Sequence, residues 1–228
     1  MRAASSRRRV ETDLLNGLAY RKIKEKIIAL DLPPASVIDE ASLAAELNLG
    51  LTPVRQALRR LAFENLVVIL PRRGTLVAEL NLSDLHKIFE MRLELETLAA
   101  RLAAERATLA QIEELEQLSR EALAHGQSAD NHQLLQLDHR MHVLLAQAAH
   151  NEFLEETLEW LYGHVLRLWN VALGQVTGLP AAMAEHRAIY PRRKPARCLS
   201  SCRTHAPTCA TLSTDIFMNF LPSSAQFF

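Results

Sequence analysis

The first 197 residues contain no cysteine, and all three cysteines, Cys198, Cys202 and Cys209, fall in the last stretch. A cysteine-free body excludes a disulfide framework there and fits a reducing compartment. No run reaches the ~18 apolar residues of a membrane-spanning helix. The N-terminus, MRAASSRRRVETD, is basic but has no apolar segment behind it, so it does not read as a secretory signal. The expected compartment is therefore the cytoplasm. Glycine is scarce between Asn81 and Gly178, where only Gly126, Gly163 and Gly174 occur, and strand signals are nearly absent there. Formal net charge is zero, which would argue against a polyanionic partner if charge were spread evenly.

It is not spread evenly. Lys and Arg exceed Asp and Glu by four over residues 1–80, fall short by eight over 81–190, and exceed them again by four over 191–228. A basic head on an acidic body suits a module that meets nucleic acid joined to one that stays off it. At 228 residues the chain can bury two modest cores.

Residues 1–11, with Arg7, Arg8 and Arg9 adjacent, read as a disordered basic arm able to lie along phosphates or enter a minor groove. A helix is expected from Thr12 or Asp13, with Leu14, Leu15, Leu18, Ile23, Ile27, Ile28 and Leu30 at helical spacing. Asp31-Leu32-Pro33-Pro34 ends it. Leu43, Ala44 and Leu47 mark the buried side of a second helix beginning between Glu40 and Ser42. Asn48-Leu49-Gly50 makes a turn in which Asn48 or Gly50 can take a positive φ. Thr52 is the expected N-cap of a third helix and Pro53 its first residue.

In that third helix Val54, Ala57, Leu58 and Leu61 pack inward, leaving Arg55, Gln56, Arg59 and Arg60 outside. Thr52, Arg55 and Gln56 lie at the end that would meet base edges, and Arg59 and Arg60 lie a turn later, nearer phosphate. A basic helix face is by itself most often merely solvated. Here it is followed by two β-prone runs, Leu66 to Leu70 and Thr75 to Ala78, joined by Pro71-Arg72-Arg73-Gly74. A basic recognition helix beside a basic wing describes a winged helix-turn-helix over residues 12–80.

The run from about Ala19 to Leu80 resembles the DNA-binding domain of GntR-type bacterial transcriptional regulators. The matching features are Leu32-Pro33-Pro34, Leu43-Ala44-x-x-Leu47, Thr52-Pro53-Val54-Arg55-x-Ala57-Leu58-Arg59-Arg60-Leu61 and Pro71-Arg72-Arg73-Gly74. The resemblance implies operator DNA as the partner. One departure stands out: the family places Ser-Arg before the Thr-Pro, and this chain has Gly50 and Leu51. The missing arginine implies weaker or altered operator binding.

After the polar boundary Asn81-Leu82-Ser83-Asp84, residues 83–190 read as an all-α bundle with helices near 84–106, 109–125, 130–149 and 151–173 and a shorter one from about 180. The overall class is mainly α, with a small β-hairpin wing in the head. Within Asp138-His139-Arg140-Met141-His142, Asp138 and His142 are four apart and project from one helix face, where a carboxylate and an imidazole can share a metal ion. Taken alone, an ordinary i,i+4 pair is the commoner outcome. Arg92 reads equally as a cavity residue and as a surface partner of Glu96. His164 reads as a satisfied core or edge histidine, and Trp160 and Trp169 as core or interface aromatics.

Phe89-Glu90-x-Arg92-x-x-Leu95-Glu96-x-x-Ala99-Ala100-x-Leu102-Ala103-Ala104, with Asn151-Glu152-Phe153-Leu154, resembles the ligand-sensing (FCD) domain of the FadR branch of the same regulators. That resemblance implies a bundle enclosing a small carboxylic acid effector, with Arg92 facing it. It also implies a divalent metal (zinc, nickel or similar) on Asp138, His142 and His186, and a homodimer. The fourth family ligand would fall near position 208, where Thr208 stands, so the metal site is expected to be one ligand short and weakened.

From Pro191 the composition changes abruptly and resembles the family no longer. Residues 191–228 read as a disordered or frame-shifted tail, leaving the bundle incomplete. Cys198, Cys202, His205 and Cys209 could alternatively form a zinc element. The expected function is an effector-responsive, DNA-binding transcriptional regulator, not an enzyme. A metalloenzyme on Asp138, His142 and His186 is the rival from another class, without a convincing base or nucleophile. An effector-independent DNA-binding protein with a defective sensing domain is the other.

Overall fold

The computed structural model describes residues 2–125 and 131–172. Elements follow in the order α1 (Arg2–Ile28), β1 (Val37–Ile38), α2 (Glu40–Leu47), α3 (Leu51–Phe63), β2 (Val67–Leu70), β3 (Gly74–Val77), α4 (Leu82–Arg106), α5 (Leu109–His125), α6 (Asn131–Ala148) and α7 (Glu152–Ala172). They fall into two compact units. The first takes in Met1–Asn81 and Leu166–Val171, and the described part of the second is Leu82–Val165 with Ala172.

In the first unit, α1 begins at Arg2 rather than near Thr12, so Arg7 to Arg9 are helical and not part of a disordered arm. Nothing from Arg2 to Asn16 is glycine or proline, and alanine and arginine carry the helix through Thr12 and Asp13 without a break. Ala19, Tyr20, Ile23 and Ile27 form its buried side, while Leu14 and Leu15 are exposed, contrary to the apolar stripe read from the sequence. The helix packs on α3, where Val54, Ala57, Leu58 and Leu61 close the same core with Leu43, Ala44 and Leu47 of α2. Burying this set at ~25 cal/mol per Å² of apolar surface is what holds the long α1 and the two short helices α2 and α3 together.

Asp39 caps α2, its Oδ1 accepting from the backbone N–H of Ala41 at 3.0 Å and of Ser42 at 3.4 Å. Asn48 ends α2 in the left-handed region at φ 53°, the αL closure that asparagine tolerates best after glycine. Gly50 is extended at φ −70°, ψ 158° and occupies the N-cap of α3. The expected cap, Thr52, therefore lies inside the helix, because the helix starts one residue ahead of the Thr-Pro pair at Leu51.

The wing is a three-stranded antiparallel sheet in the order β1-β3-β2, not a simple hairpin. The two residues of β1 pair Val37 with Leu76 and Ile38 with Thr75. They escaped sequence reading because two residues are too few to show a period. Between Leu70 and its partner Gly74 the chain reverses through Arg72 at φ 64° and Gly74 at φ 97°. The space around Gly74 is open, so it is backbone conformation, not crowding, that favours glycine there. Within this unit Arg167 donates from Nη2 to the Ala78 carbonyl, and Asn170 donates to the Ile28 carbonyl at 2.7 Å.

The described residues of the second unit form helices joined by short turns. Its helices α4, α5, α6 and the start of α7 match the four long helices read from the sequence. The shorter helix expected from about 180, with His186, lies outside the described residues. Alanines are prominent in this unit's core: Ala99, Ala146 and Ala149 cluster with Leu154 and Leu158, and Ala100 and Ala103 with Leu145 and Ala148. Small residues at these positions let α4 and α6 approach along the turns that carry Arg92, Glu96, Asp138 and His142. No helix among the described residues is long and apolar enough to cross a membrane.

Candidate nucleic-acid interface and ligand site

On α3 the amphipathic pattern separates core from interface. Pro53, Val54, Ala57, Leu58 and Leu61 are buried, while Thr52, Arg55, Gln56, Arg59 and Arg60 are exposed, as are Arg72, Arg73 and Gly74 at the wing tip. The structure thus presents all eight residues expected to face DNA at the surface of one unit. Two of the arginines already have protein partners. Arg55 donates from Nε to Glu40 Oε2 at 2.7 Å, an exposed pair of the kind that contributes little to stability and exchanges readily. It holds the Arg55 side chain toward the start of α2.

Arg60 is drawn toward α1. Its guanidinium carbon lies 3.8 Å from the centre of the Tyr20 ring, a cation–π arrangement, and its Nε lies 3.4 Å from Glu64 Oε1. Tyr20 donates its hydroxyl to the same Glu64 oxygen at 2.7 Å and accepts from Lys24 Nζ at 3.0 Å. Lys24 in turn lies 3.1 Å from Glu64 Oε2. Burial works against the Lys24 charge, but Tyr20 and Glu64 outweigh it and raise its pKa. Arg60 therefore serves the α1–α3 junction, a role that sequence reading gave to no residue.

In the body, the sequence-predicted Arg92, Asp138 and His142 come together with Glu96, read from the sequence as a surface partner of Arg92, and with Tyr162, which the sequence did not single out. Arg92 is 2% and Glu96 5% exposed. Their pairing is thus neither a surface ion pair nor a free cavity arginine: Arg92 donates from Nε to Glu96 Oε1 at 2.7 Å and from Nη2 to the same oxygen. His142 Nδ1 lies 3.5 Å from Glu96 Oε1, and its Nε2 lies 3.6 Å from Asp138 Oδ1. Tyr162 on α7 donates its hydroxyl to Asp138 Oδ2 at 2.8 Å, and Arg92 stacks over the Tyr162 ring at 4.4 Å.

The charges in this cluster are set by competition. Burial disfavours the Arg92 and His142 cations, but Glu96 leads a set of neighbours, Asp138 among them, that outweighs it, so both pKa values are raised. Burial, then Asp138, pushes the Tyr162 hydroxyl well above its ordinary value and keeps it a donor. A cavity of about 60 Å³ is lined by Glu96, His142 and Tyr162 with Ala99, Leu145 and Leu158 among others. Tyr162 escaped sequence reading because it is 24 residues from Asp138 and only helix packing joins them. Glu96 was visible as an i,i+4 neighbour of Arg92, but nothing local marks that pair as buried.

The donor set can be tested for a metal. The facing atoms of Asp138 and His142 fit two ligands of one ion. Among the described residues no group of three or more His, Cys, Asp or Glu forms a metal site. Glu96 does not complete one, because it faces the opposite ring nitrogen of His142. His186, the third expected ligand, lies outside the described residues. His164 is buried and meets Trp160 edge-on at 5.9 Å, in line with a core histidine.

Comparison with known proteins agrees with this division. Residues 16–77 match the family described as "Bacterial regulatory proteins, gntR family", and residues 87–192 match the FCD domain. The second match ends at residue 192. The HTH-type transcriptional repressor RspR of Escherichia coli is 28% identical over 189 residues, covering 79% of this chain and 82% of that one. The Nta operon transcriptional regulator of Aminobacter aminovorans is 34% identical over 125 residues, 55% of this chain and 59% of the relative. Among solved structures, Escherichia coli McbR/YncC superposes with a TM-score of 0.75 at 20% identity, covering 90% of this chain and 96% of that one. The exposed arginine helix, its wing and the helical body are the parts of a transcriptional regulator, and this chain belongs to the GntR family, with an FCD domain as its body.

Proposed function

We propose that the chain binds operator DNA as a homodimer in the cytoplasm, and that its body tunes this binding by capturing a small carboxylic acid effector. Two half-sites roughly one helical turn apart would match the two heads. The observation that carries the sensing part is Arg92, a guanidinium buried in the body and held charged against burial by Glu96, with Tyr162 and Asp138 beside it. A carboxylate entering the cluster would exchange with Glu96 as the bidentate partner of Arg92.

Asp138 and His142, with His186, would hold a divalent metal such as zinc or nickel. Bound there, the ion would supply a Lewis-acid contact to an anionic ligand. Asp138 is oriented for this by the Tyr162 hydroxyl on its other oxygen. The residues from Pro191 onward are proposed to lie outside the sensing domain. Translation of the gene in its other two frames tests whether they result from a frame shift, and a family-like helix with a histidine in either frame supports it.

A second reading, an effector-independent DNA-binding protein, is favoured by the same pair: Glu96 already balances Arg92. The two separate in a thermal-melt and gel-shift series with a panel of small mono- and dicarboxylates, each with Zn²⁺ or Ni²⁺. Sensing predicts a ligand that raises the melting temperature of the full chain and changes operator affinity. Indifference to the whole panel favours the second reading.

A further inference from the structure

Glu96 stands between the two halves of the ligand site. On α4 it lies one turn after Arg92, and one oxygen, Oε1, serves both neighbours. That oxygen accepts from Arg92 Nε at 2.7 Å and from Nη2, and it lies 3.5 Å from His142 Nδ1. Its other oxygen, Oε2, is buried without a hydrogen-bond partner among the described residues. The separation from His142 is a few tenths of an ångström beyond an ordinary N–H···O bond, so a slight movement of either side chain closes it.

An imidazole binds a metal through one nitrogen, and the hydrogen bond made by the other nitrogen decides which one is available. Ligating histidines almost always donate that second N–H to a carboxylate, carbonyl or water. Here Nε2 faces Asp138 at 3.6 Å and Nδ1 faces Glu96. The two carboxylates address opposite edges of one ring, so Asp138 is placed to share an ion with His142 and Glu96 is placed to orient it.

We propose that Glu96 is the positioning residue of this site, anchored by Arg92 and fixing the His142 tautomer whose Nε2 binds a divalent metal together with Asp138. This rests on the metal part of the function proposed above.

The test uses the full chain and Co²⁺ alone as probe, followed by its visible absorption and by competition titration. His142→Ala abolishes the Co²⁺ signal. If it does not, the metal reading fails and takes this proposal with it. Glu96→Ala weakens Co²⁺ binding by about 10- to 100-fold and alters the absorption spectrum. Glu96→Gln, whose amide oxygen can still accept from Nδ1, restores most of the affinity. A Glu96→Ala chain that binds Co²⁺ like the wild type, while His142→Ala does not bind it, overturns the proposal alone. So does a Glu96→Gln chain as weak as Glu96→Ala. Should Glu96→Ala fail to fold, ¹⁵N-histidine spectra of the Zn²⁺-loaded wild type decide: a protonated Nδ1 on His142 supports the proposal, and a metal-bound Nδ1 overturns it.

Discussion

The head and the body each place an arginine against a glutamate at 2.7 Å, and the two pairs have opposite consequences. Arg55 and Glu40 in the head are 55% and 30% exposed, whereas Arg92 and Glu96 in the body are 2% and 5% exposed. Water screens the first pair, so it can part when a phosphate or base edge arrives. The second is desolvated, and either partner left alone would be an uncompensated charge. The same Nε-to-carboxylate distance thus accompanies a surface cation ready for DNA in one unit and a buried polar centre, with a second Arg92 donor on the same oxygen, in the other. The surroundings, not the bond length, set the role.

The largest expected effect breaks the body's pair. Glu96→Leu strands the Arg92 charge and should cost about 3–5 kcal/mol, whereas Arg92→Met with Glu96→Leu should recover most of that loss. Chemical denaturation of the three chains checks this. A double variant that loses as much as Glu96→Leu alone would contradict the stranded-charge account. In the head, Arg55→Ala should leave the melting temperature nearly unchanged and weaken binding to a cognate operator by about 1–3 kcal/mol, with relaxed specificity at one position. Binding isotherms on cognate and scrambled DNA separate the two effects.

A smaller change sharpens the comparison from the other side. Leu51 is the first residue of α3 and exposed, and a Cβ at Gly50 would meet only Pro53 at ordinary contact distance. Gly50→Ser with Leu51→Arg should therefore fold normally, tighten operator binding and steepen its dependence on salt by about one unit in a log–log plot. No gain in a gel shift would show that the head does not lack that cation. The smallest effect concerns Asp39. Donation from the Ser42 hydroxyl and the Ala41 and Ser42 N–H groups holds its carboxyl below the ordinary value. A depressed folded-state pKa adds stability above the unfolded value, lost as pH falls through the folded one. The melting temperature of Asp39→Asn should approach that of wild type below about pH 4.

The same contrast explains what was legible in the sequence. The head is built from local signals: Asn48 at the turn, an apolar stripe in α3, and glycine after two arginines at the wing. Each needs only a few neighbouring residues to be recognised. The two residues of β1 and the Tyr20–Lys24–Glu64–Arg60 cluster were not legible, because one is too short for a period and the other joins helices far apart in the chain. In the body, Asp138 and His142 were readable as one helix face and Arg92 through a family motif. Tyr162 and the burial of Glu96 were not, since each depends on the packing of three helices. The start of α1 was misread because an arginine run resembles a disordered arm as much as a helix.

The central claim is that a small anion captured at Arg92 changes how the head binds DNA. Fluorescence anisotropy of operator DNA with the full chain tests it, repeated across the carboxylate and metal panel with wild type and Arg92→Gln. The account predicts at least one carboxylate that shifts wild-type operator affinity by about 5- to 150-fold, the usual range of allosteric coupling, and leaves Arg92→Gln unmoved. Affinity indifferent to the panel in the wild type, or an equal shift in Arg92→Gln, would contradict it.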